Sequence, residues 1–402
     1  MMSKLDMRVV QISPGRFHHL DLANQLARHN VLRRFYVGYP KFQLAKHGFN
    51  QPGTVSFPWF VLPLFALARA GALSTPLRRF LERASHWSID LFAAGTLPEC
   101  GALIALSQSG LRAGQRVQRR GGLYICDRGS SHIRYQNEIL HEEFRRWGDE
   151  FPGIDPWVIR REEAEYAAAD IITVPSSFAL RSFIGNGVPP AKLRRVPYGA
   201  DISKFVPTGE PPKGRFEVLF VGQAGFRKGI PDLLEAFRQL KHPAKRLRIA
   251  GGIQPELQRF LRRSPPGENV EFLGQVPHHE LKHIMGASHV MVLPSVEDGF
   301  GLVMTQAMAC ACPVIASVNT GAEDLFNDGV EGFIVPIRAP VSIASRLQQL
   351  ADEPLLREAM AQAALARVQH LGGWNAYGDE IIRVLMEAYR RIAPAGLAVT
   401  HA

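Results

Sequence analysis

The chain is predicted to be α/β, built from two doubly wound parallel-sheet domains. Three observations point there. Its 402 residues exceed one ordinary core and suggest about two domains. Short apolar runs alternate with helical patterns along nearly the whole length, as in βαβ units whose crossovers cover both faces of a sheet. A proline- and glycine-rich stretch, "FVPTGEPPKGRF" from Phe205 to Phe216, divides the runs into two series. The expected units are residues 1–207 and 208–377, with a final helical segment, 378–402, packing back on the first.

In order, "RVVQIS" (8–13), "ALIALS" (102–107), "LYIC" (123–126) and "IITVPS" (171–176) read as buried strands of the first unit. "EVLFVG" (217–222), "LRIAGG" (247–252), "VEFLG" (270–274), "VMVLPS" (290–295), "PVIAS" (313–317) and "GFIVP" (332–336) read as strands of the second. Two such sheets facing each other leave a cleft lined by the loops at their strands' carboxyl ends, where open α/β sheets bind ligands.

Composition narrows the class. A hydrophobic content of 46% and a charged content of 21% describe a globular protein. Four cysteines (Cys100, Cys126, Cys310, Cys312) are too scattered for a disulfide framework, which suits a reducing, cytoplasmic location. The start, "MMSKLDMRVVQIS", carries no signal-peptide pattern, and no run of about 18 apolar residues occurs. The net charge of +10 favours anionic partners. No zinc-finger or RNP-type motif accompanies it, so nucleic acid is not expected as a partner.

Two segments carry chemistry. In "FVGQAGFRKGIPDLLEAFRQL" (220–240) a strand ends at Gly222, and Arg227 and Lys228 stand just before an amphipathic helix. A guanidinium and an ammonium beside helix-start amides suit a diphosphate. In "SVEDGFGLVMTQAMACACPVIAS" (295–317) a strand ends, the acids Glu297 and Asp298 follow, and Gly299-Phe300-Gly301 open a new helix. The glycines let the backbone approach a ligand, and the helix start favours phosphate. An acid there makes sense as an acceptor for hydroxyls beside the phosphate, with Gln306 one turn on for a second set. The ordinary alternative is an N-capping acid.

Together these segments, with "EYAAADIITVPSSF", "VPYGADISKF" and "VEFLGQVP", make the chain resemble a retaining glycosyltransferase of the GT-B fold, in the large family called GT4. The resemblance implies a nucleotide-diphosphate sugar as donor and no metal or other cofactor. It places Asp298 at the first family glutamate, which binds the donor sugar, with Glu297 as an alternative. Gly299, Phe300, Gly301 and Leu302 match the turn facing sugar and diphosphate, and Gln306 the glutamate on the ribose. Arg227 and Lys228 match the diphosphate-holding cations, Gly222 the end of the strand before them, and Val276 the loop at the nucleotide base. Gly15 matches the first-domain loop at the donor phosphate, and His132 a histidine beside the donor sugar. On this resemblance Arg227, Lys228, Asp298 and His132 are the catalytic candidates. His18, His19, Asp127 and Ser130 are acceptor-side candidates.

Three departures stand out: Gln306 replaces a glutamate, Gln223 an arginine, and Ala311 a glycine near the helix end. The implied activity moves a hexose-type sugar to a glycan or lipid-linked acceptor, as in bacterial cell-surface polysaccharide or glycolipid synthesis. A nucleotide- or glycan-binding protein without transfer, or a sugar-nucleotide epimerase on the same fold, are the alternatives. Residues 57–95 combine large apolar side chains with Arg69, Arg78, Arg79 and Arg83. They read either as a buried helix of the first domain with an arginine-rich outer face, or as a helix pair resting peripherally on the inner, anionic face of a membrane.

Overall fold

The structure, a computed structural model, describes residues 7–15, 17–46, 48–70 and 74–392. Among these, thirteen strands form two all-parallel sheets. The first comprises β1 (Val9–Ser13), β2 (Leu32–Val37), β3 (Thr54–Ser56), β4 (Ala102–Leu106), β5 (Leu123–Asp127), β6 (Ile171–Val174) and β7 (Leu193–Arg195). Its order is β3-β2-β1-β4-β5-β6-β7. The second comprises β8 (Phe216–Val221), β9 (Lys245–Ala250), β10 (Val270–Gly274), β11 (Val290–Leu293), β12 (Val314–Ser317) and β13 (Gly332–Val335), in the order β10-β9-β8-β11-β12-β13. Both orders reverse at the sheet centre, so each domain has a crevice at the carboxyl ends of its middle strands.

Strand alternation builds the first core on both faces. Val10, Ile12, Leu103, Ala105, Tyr124 and Cys126 point to one face, and Val9, Ala102, Ile104, Leu123 and Ile125 to the other. The second face is covered by helix His19–Arg28 and by the carboxyl-terminal helix Gly373–Ile392, whose Tyr377, Ile381 and Leu385 join that cluster. Each such aliphatic side chain contributes roughly 1.5–3 kcal/mol on burial. Residues 393–402 of the expected segment lie outside the described residues.

All ten expected runs are strands. β2, β3 and β7 were not read from sequence. β3 and β7 are three-residue edge strands, and β2 carries Arg33 and Arg34 where an apolar run would be sought. The buried-helix reading of residues 57–95 holds for helix Thr75–Gly95, whose Ile89, Ala93 and Ala94 join the first core, and fails for helix Val61–Arg69, in which only Val61 is buried. The sequence of that helix, VLPLFALAR, would normally mark an interior element. No helix among the described residues is long and apolar enough to cross a membrane.

The domains meet along helix Ile133–Arg146, which follows β5 yet inserts Phe144 into the second core. Arg146 donates to both carboxylate oxygens of Asp232 (2.7 and 2.6 Å), and Arg338 Nε donates to Glu143 Oε2 at 2.6 Å.

Candidate active site

The loop after β5 meets the loop after β11. Gly299 is packed so tightly that an added Cβ would lie 2.0 Å from the Gly129 carbonyl oxygen. Ser176 Oγ donates to Gly299 O at 2.6 Å from the loop after β6. Two strand ends of the first sheet therefore hold the glycine turn of the second.

Glu297 lies at the centre of this seam, fully buried. Its Oε1 accepts from Ser130 Oγ (2.6 Å), Ser131 Oγ (2.7 Å) and Ser131 N (3.2 Å). Its Oε2 accepts from Gln136 Nε2 (2.9 Å) and Arg227 Nε (2.7 Å). Burial alone would raise this carboxyl's pKa, but Arg227 and the bonds from Ser130, Ser131 and Gln136 hold it well below the usual carboxylate range. With five donors on two oxygens, Glu297 has no capacity left for a ligand.

Asp298 is placed differently. Its backbone N–H donates to Asn319 O at 3.0 Å, its side chain pairs with Lys228, and that side chain keeps 16% of its exposure. It does not cap the following helix. The helix Leu302–Ala309 begins at Gly301, in the left-handed region (φ +79°), with no side-chain cap. The first amides of that helix therefore remain open to a ligand.

Arg227 and Lys228 form a single short turn, Phe226–Lys228, closed by Gly229 at φ +66°. A Cβ on Gly229 would lie 2.1 Å from Pro294 O, so glycine alone lets this turn press against the end of β11. Arg227 spends Nε on Glu297, and its terminal nitrogens bond no group among the described residues, with 41% of the side chain exposed. Burial opposes its charge, but Glu297 and Asp298 raise its pKa. Gln306 is half-buried one turn into Leu302–Ala309, Phe300 is buried against Tyr198 at a ring distance of 5.5 Å, and Leu302 packs on the second core. Gly222 ends β8 at φ +146°, and Val276 follows β10, half-buried.

The first-domain candidates divide. Ser130 is bonded to Glu297, so it belongs to the seam. His132 is a packed cap. It starts helix Ile133–Arg146, and its buried ring lies 5.1 Å from Tyr166 and 5.0 Å from Phe183. Burial lowers its pKa to about 4. Gly15 lines a cavity of about 550 Å³ with Phe17, Asp21, Asn24 and Tyr39, on the same edge of the sheet but apart from Asp298.

His18, His19 and Asp127 form a buried knot. Asp127 Oδ2 faces His18 Nε2 at 2.5 Å and His19 Nε2 at 3.0 Å, and Oδ1 accepts from Thr173 at 2.7 Å. Burial acts to raise the Asp127 pKa, but His18 and His19 hold it far down. The three potential ligand atoms lie within 4.8 Å of one another, a spacing a cation could use. The donor set does not fit one. Gln11 Nε2 sits 2.7 Å from His19 O, which can only accept, and 2.9 Å from His19 Nδ1. The ring proton therefore sits on Nε2, 3.0 Å from Asp127 Oδ2 but without a hydrogen bond to it, and no lone pair is offered there.

Of the residues that assemble the seam, sequence reasoning named Ser130, Arg227 and Glu297 but assigned no role to Ser131, Gln136, Arg128 or Asn319. Arg128 donates to Gln136 Oε1 (2.9 Å) and Glu162 Oε1 (3.1 Å), which turns the Gln136 amide nitrogen toward Glu297. Asn319 Nδ2 bonds Val296 O at 2.9 Å and steadies the acidic loop. The polar run "DRGSS" after β5 was the available signal.

Comparison with known proteins bears on this geometry. The pattern of the family described as Glycosyl transferases group 1 matches residues 201–367, which hold Arg227, Lys228, Asp298 and Gln306. A D-inositol 3-phosphate glycosyltransferase of Catenulispora acidiphila is 31% identical over 305 residues, covering 69% of this chain and 70% of that protein. The chain belongs to the group 1 glycosyl transferases. A second such relative of this group 1 protein, from Frankia alni, is 30% identical over 232 residues; the match spans 52% of this chain and 56% of the relative. Among solved structures, the sucrose-phosphate synthase of Thermosynechococcus elongatus superposes with a TM-score of 0.72 at 21% identity, covering 96% of this chain and 100% of that one. Anabaena HepE in complex with UDP and glucose gives 0.67 at 16% identity, covering 95% and 100%. The fold of this group 1 protein is therefore GT-B.

Proposed function

We propose that this protein transfers a hexose-type sugar, with retention of configuration and without a metal, from a nucleotide-diphosphate sugar to a glycan or lipid-linked acceptor. One observation carries the reading: Arg227, Lys228 and Asp298 converge beside the open amides of helix Leu302–Ala309, at the seam between the two sheets. The free fork of Arg227 and the Lys228 ammonium suit the departing diphosphate, where negative charge grows as the sugar–phosphate bond breaks. Asp298, less buried than Glu297, is the acid left to accept from hydroxyls of the donor sugar. Gln306 takes the ribose, accepting from one hydroxyl and donating to the other. The leaving phosphate itself takes the acceptor's proton, so no protein base is required. The fixed cations and helix dipole do the work a divalent ion would do elsewhere.

The family likeness supports the transferase class. The sugar and acceptor classes rest on the resemblance to retaining members of that family, and the nucleotide base is what the following test identifies. The test is a panel of nucleotide sugars scored for release of UDP, GDP or ADP. Release from one donor is expected, with Arg227→Ala and Lys228→Ala each slowing it by about 10²–10³-fold. Near-normal release in both variants would overturn the assignment. Thermal stabilisation by a nucleotide with release from no donor would mark a binding protein instead.

A further inference from the structure

Among the described residues, helix Val61–Arg69 leaves an apolar face without a partner. Leu62, Pro63, Phe65, Ala66 and Ala68 are exposed, and around them Trp59 (69% exposed), Phe42 and Phe80 (both 61%) also stand in solvent. Monomers seldom leave so much contiguous apolar surface uncovered. The charge around it is predominantly positive. Residues 41–95 carry Lys41, Lys46, Arg69, Arg78, Arg79 and Arg83 against the acids Glu82 and Asp90, and Asp90 is buried on Arg161. Lys41, Lys46, Arg69 and Arg78 form no ion pair among the described residues.

Placement adds a third point. The helix follows β3 at the carboxyl edge of the first sheet, the edge that also carries Gly15 and Asp127. The Phe65 ring lies 5.6 Å from that of Tyr39, and Tyr39 lines the 550 Å³ cavity beside Gly15, Asp21 and Asn24. The exposed apolar face thus adjoins a cavity lined by polar side chains (Asp21, Asn24, Tyr39) and apolar ones (Phe17, Leu20, Phe49).

We propose that this helix docks on an anionic bilayer, and that the adjoining cavity receives the polar head of an acceptor anchored in it. Apolar side chains flanked by unpaired cations match the boundary between acyl chains and anionic headgroups. A second copy of the chain is a poorer occupant, because each copy would bring the same positive charge to the contact. The docking half stands without the glycosyltransferase reading; the acceptor half rests on it.

Vesicle flotation of the intact protein tests the docking half, using phosphatidylcholine alone and phosphatidylcholine with phosphatidylglycerol. The protein is expected to float with the anionic vesicles and to stay behind with the neutral ones. The double variants Leu62→Glu/Phe65→Glu and Arg69→Glu/Arg78→Glu should each bind at least about tenfold more weakly. Both change exposed positions, so unfolding temperature and nucleotide release should match the parent. Failure of the parent protein to float at low salt would overturn the proposal. So would flotation of the Leu62→Glu/Phe65→Glu variant at the parent level, or a dimer that this variant dissolves. For the acceptor half, the same variant should lose transfer to a vesicle-borne acceptor while keeping transfer to its water-soluble analogue. Equal loss on both would overturn it, whereas absence of any transfer would sink the glycosyltransferase reading and leave the flotation result standing.

Discussion

Arg227 Nε and Glu297 Oε2 lie 2.7 Å apart, and the same carboxylate is held by Ser130, Ser131 and Gln136 from the first domain. The aim of the Arg227 fork is therefore set by a group that both domains grip. Neighbouring acids have separated into two jobs: Glu297 fastens the seam, and Asp298 faces the gap.

That separation predicts opposite profiles. Glu297→Ala strands Arg227 and the first-domain donors, costing about 2–3 kcal/mol, the low end for a broken buried pair because Arg227 is partly solvated. Asp298→Asn keeps the side chain's shape but unpairs Lys228, so it should cost about 1 kcal/mol, less than Glu297→Ala, and yet abolish most donor turnover. Urea denaturation and nucleotide-release assays on both variants check this. Equal loss of stability in both would contradict the division.

Gly299 has no room for a side chain, since a Cβ would meet Gly129 O at 2.0 Å. Gly299→Ala should push the two loops apart and cut turnover, while Gly267→Ala, an exposed position whose Cβ would meet nothing within 4 Å, is the control. Solution scattering should show a more open Gly299→Ala protein. Unchanged dimensions and turnover would show that the seam yields locally.

Acid should destabilise the fold. Burial lowers His132 and His289 to about 4 from an ordinary 6.5. The unfolded chain therefore takes up these protons first, and stability falls as pH drops from 6.5 toward 4. Each histidine accounts for at most about 1.4 kcal/mol per pH unit. Glu297, with its pKa depressed below the ordinary 4.5, acts in the same direction further down. Its contribution is complete above 4.5 and is lost on acidification. Unfolding temperature measured from pH 7.5 to 4 should fall continuously below 6.5, less so in His132→Gln.

Ala311 occupies the left-handed region at φ +55° just past the helix Leu302–Ala309. The substitution Ala311→Gly should stabilise by about 0.5–1 kcal/mol, the relief of backbone strain less the extra freedom of the unfolded chain. A lower unfolding temperature in Ala311→Gly would contradict this.

Legibility followed sequence proximity. The middle strands of both sheets were plain because strands buried on both faces are near-continuously apolar, as in "ALIAL" and "VMVL". β2 was not, because Arg33 and Arg34 break its run, and β3 and β7 are too short to show a period. Arg227-Lys228 and Asp298-Gly299 were legible because each pair sits within one turn of a strand end.

By itself, the sequence determined two parallel sheets, their middle strands and the two loops that carry cations and acid, since these depend on local patterning and short spacings. Tertiary structure alone decided which of two adjacent acids stays open, since Glu297 is consumed by donors more than 160 positions away, Ser130 among them. It alone assigned His132 to packing, and it alone left Val61–Arg69 uncovered. The physical reason is common to all three: whether a polar group is satisfied, or an apolar face buried, depends on what distant chain arrives beside it, and a local pattern records only the need for a partner.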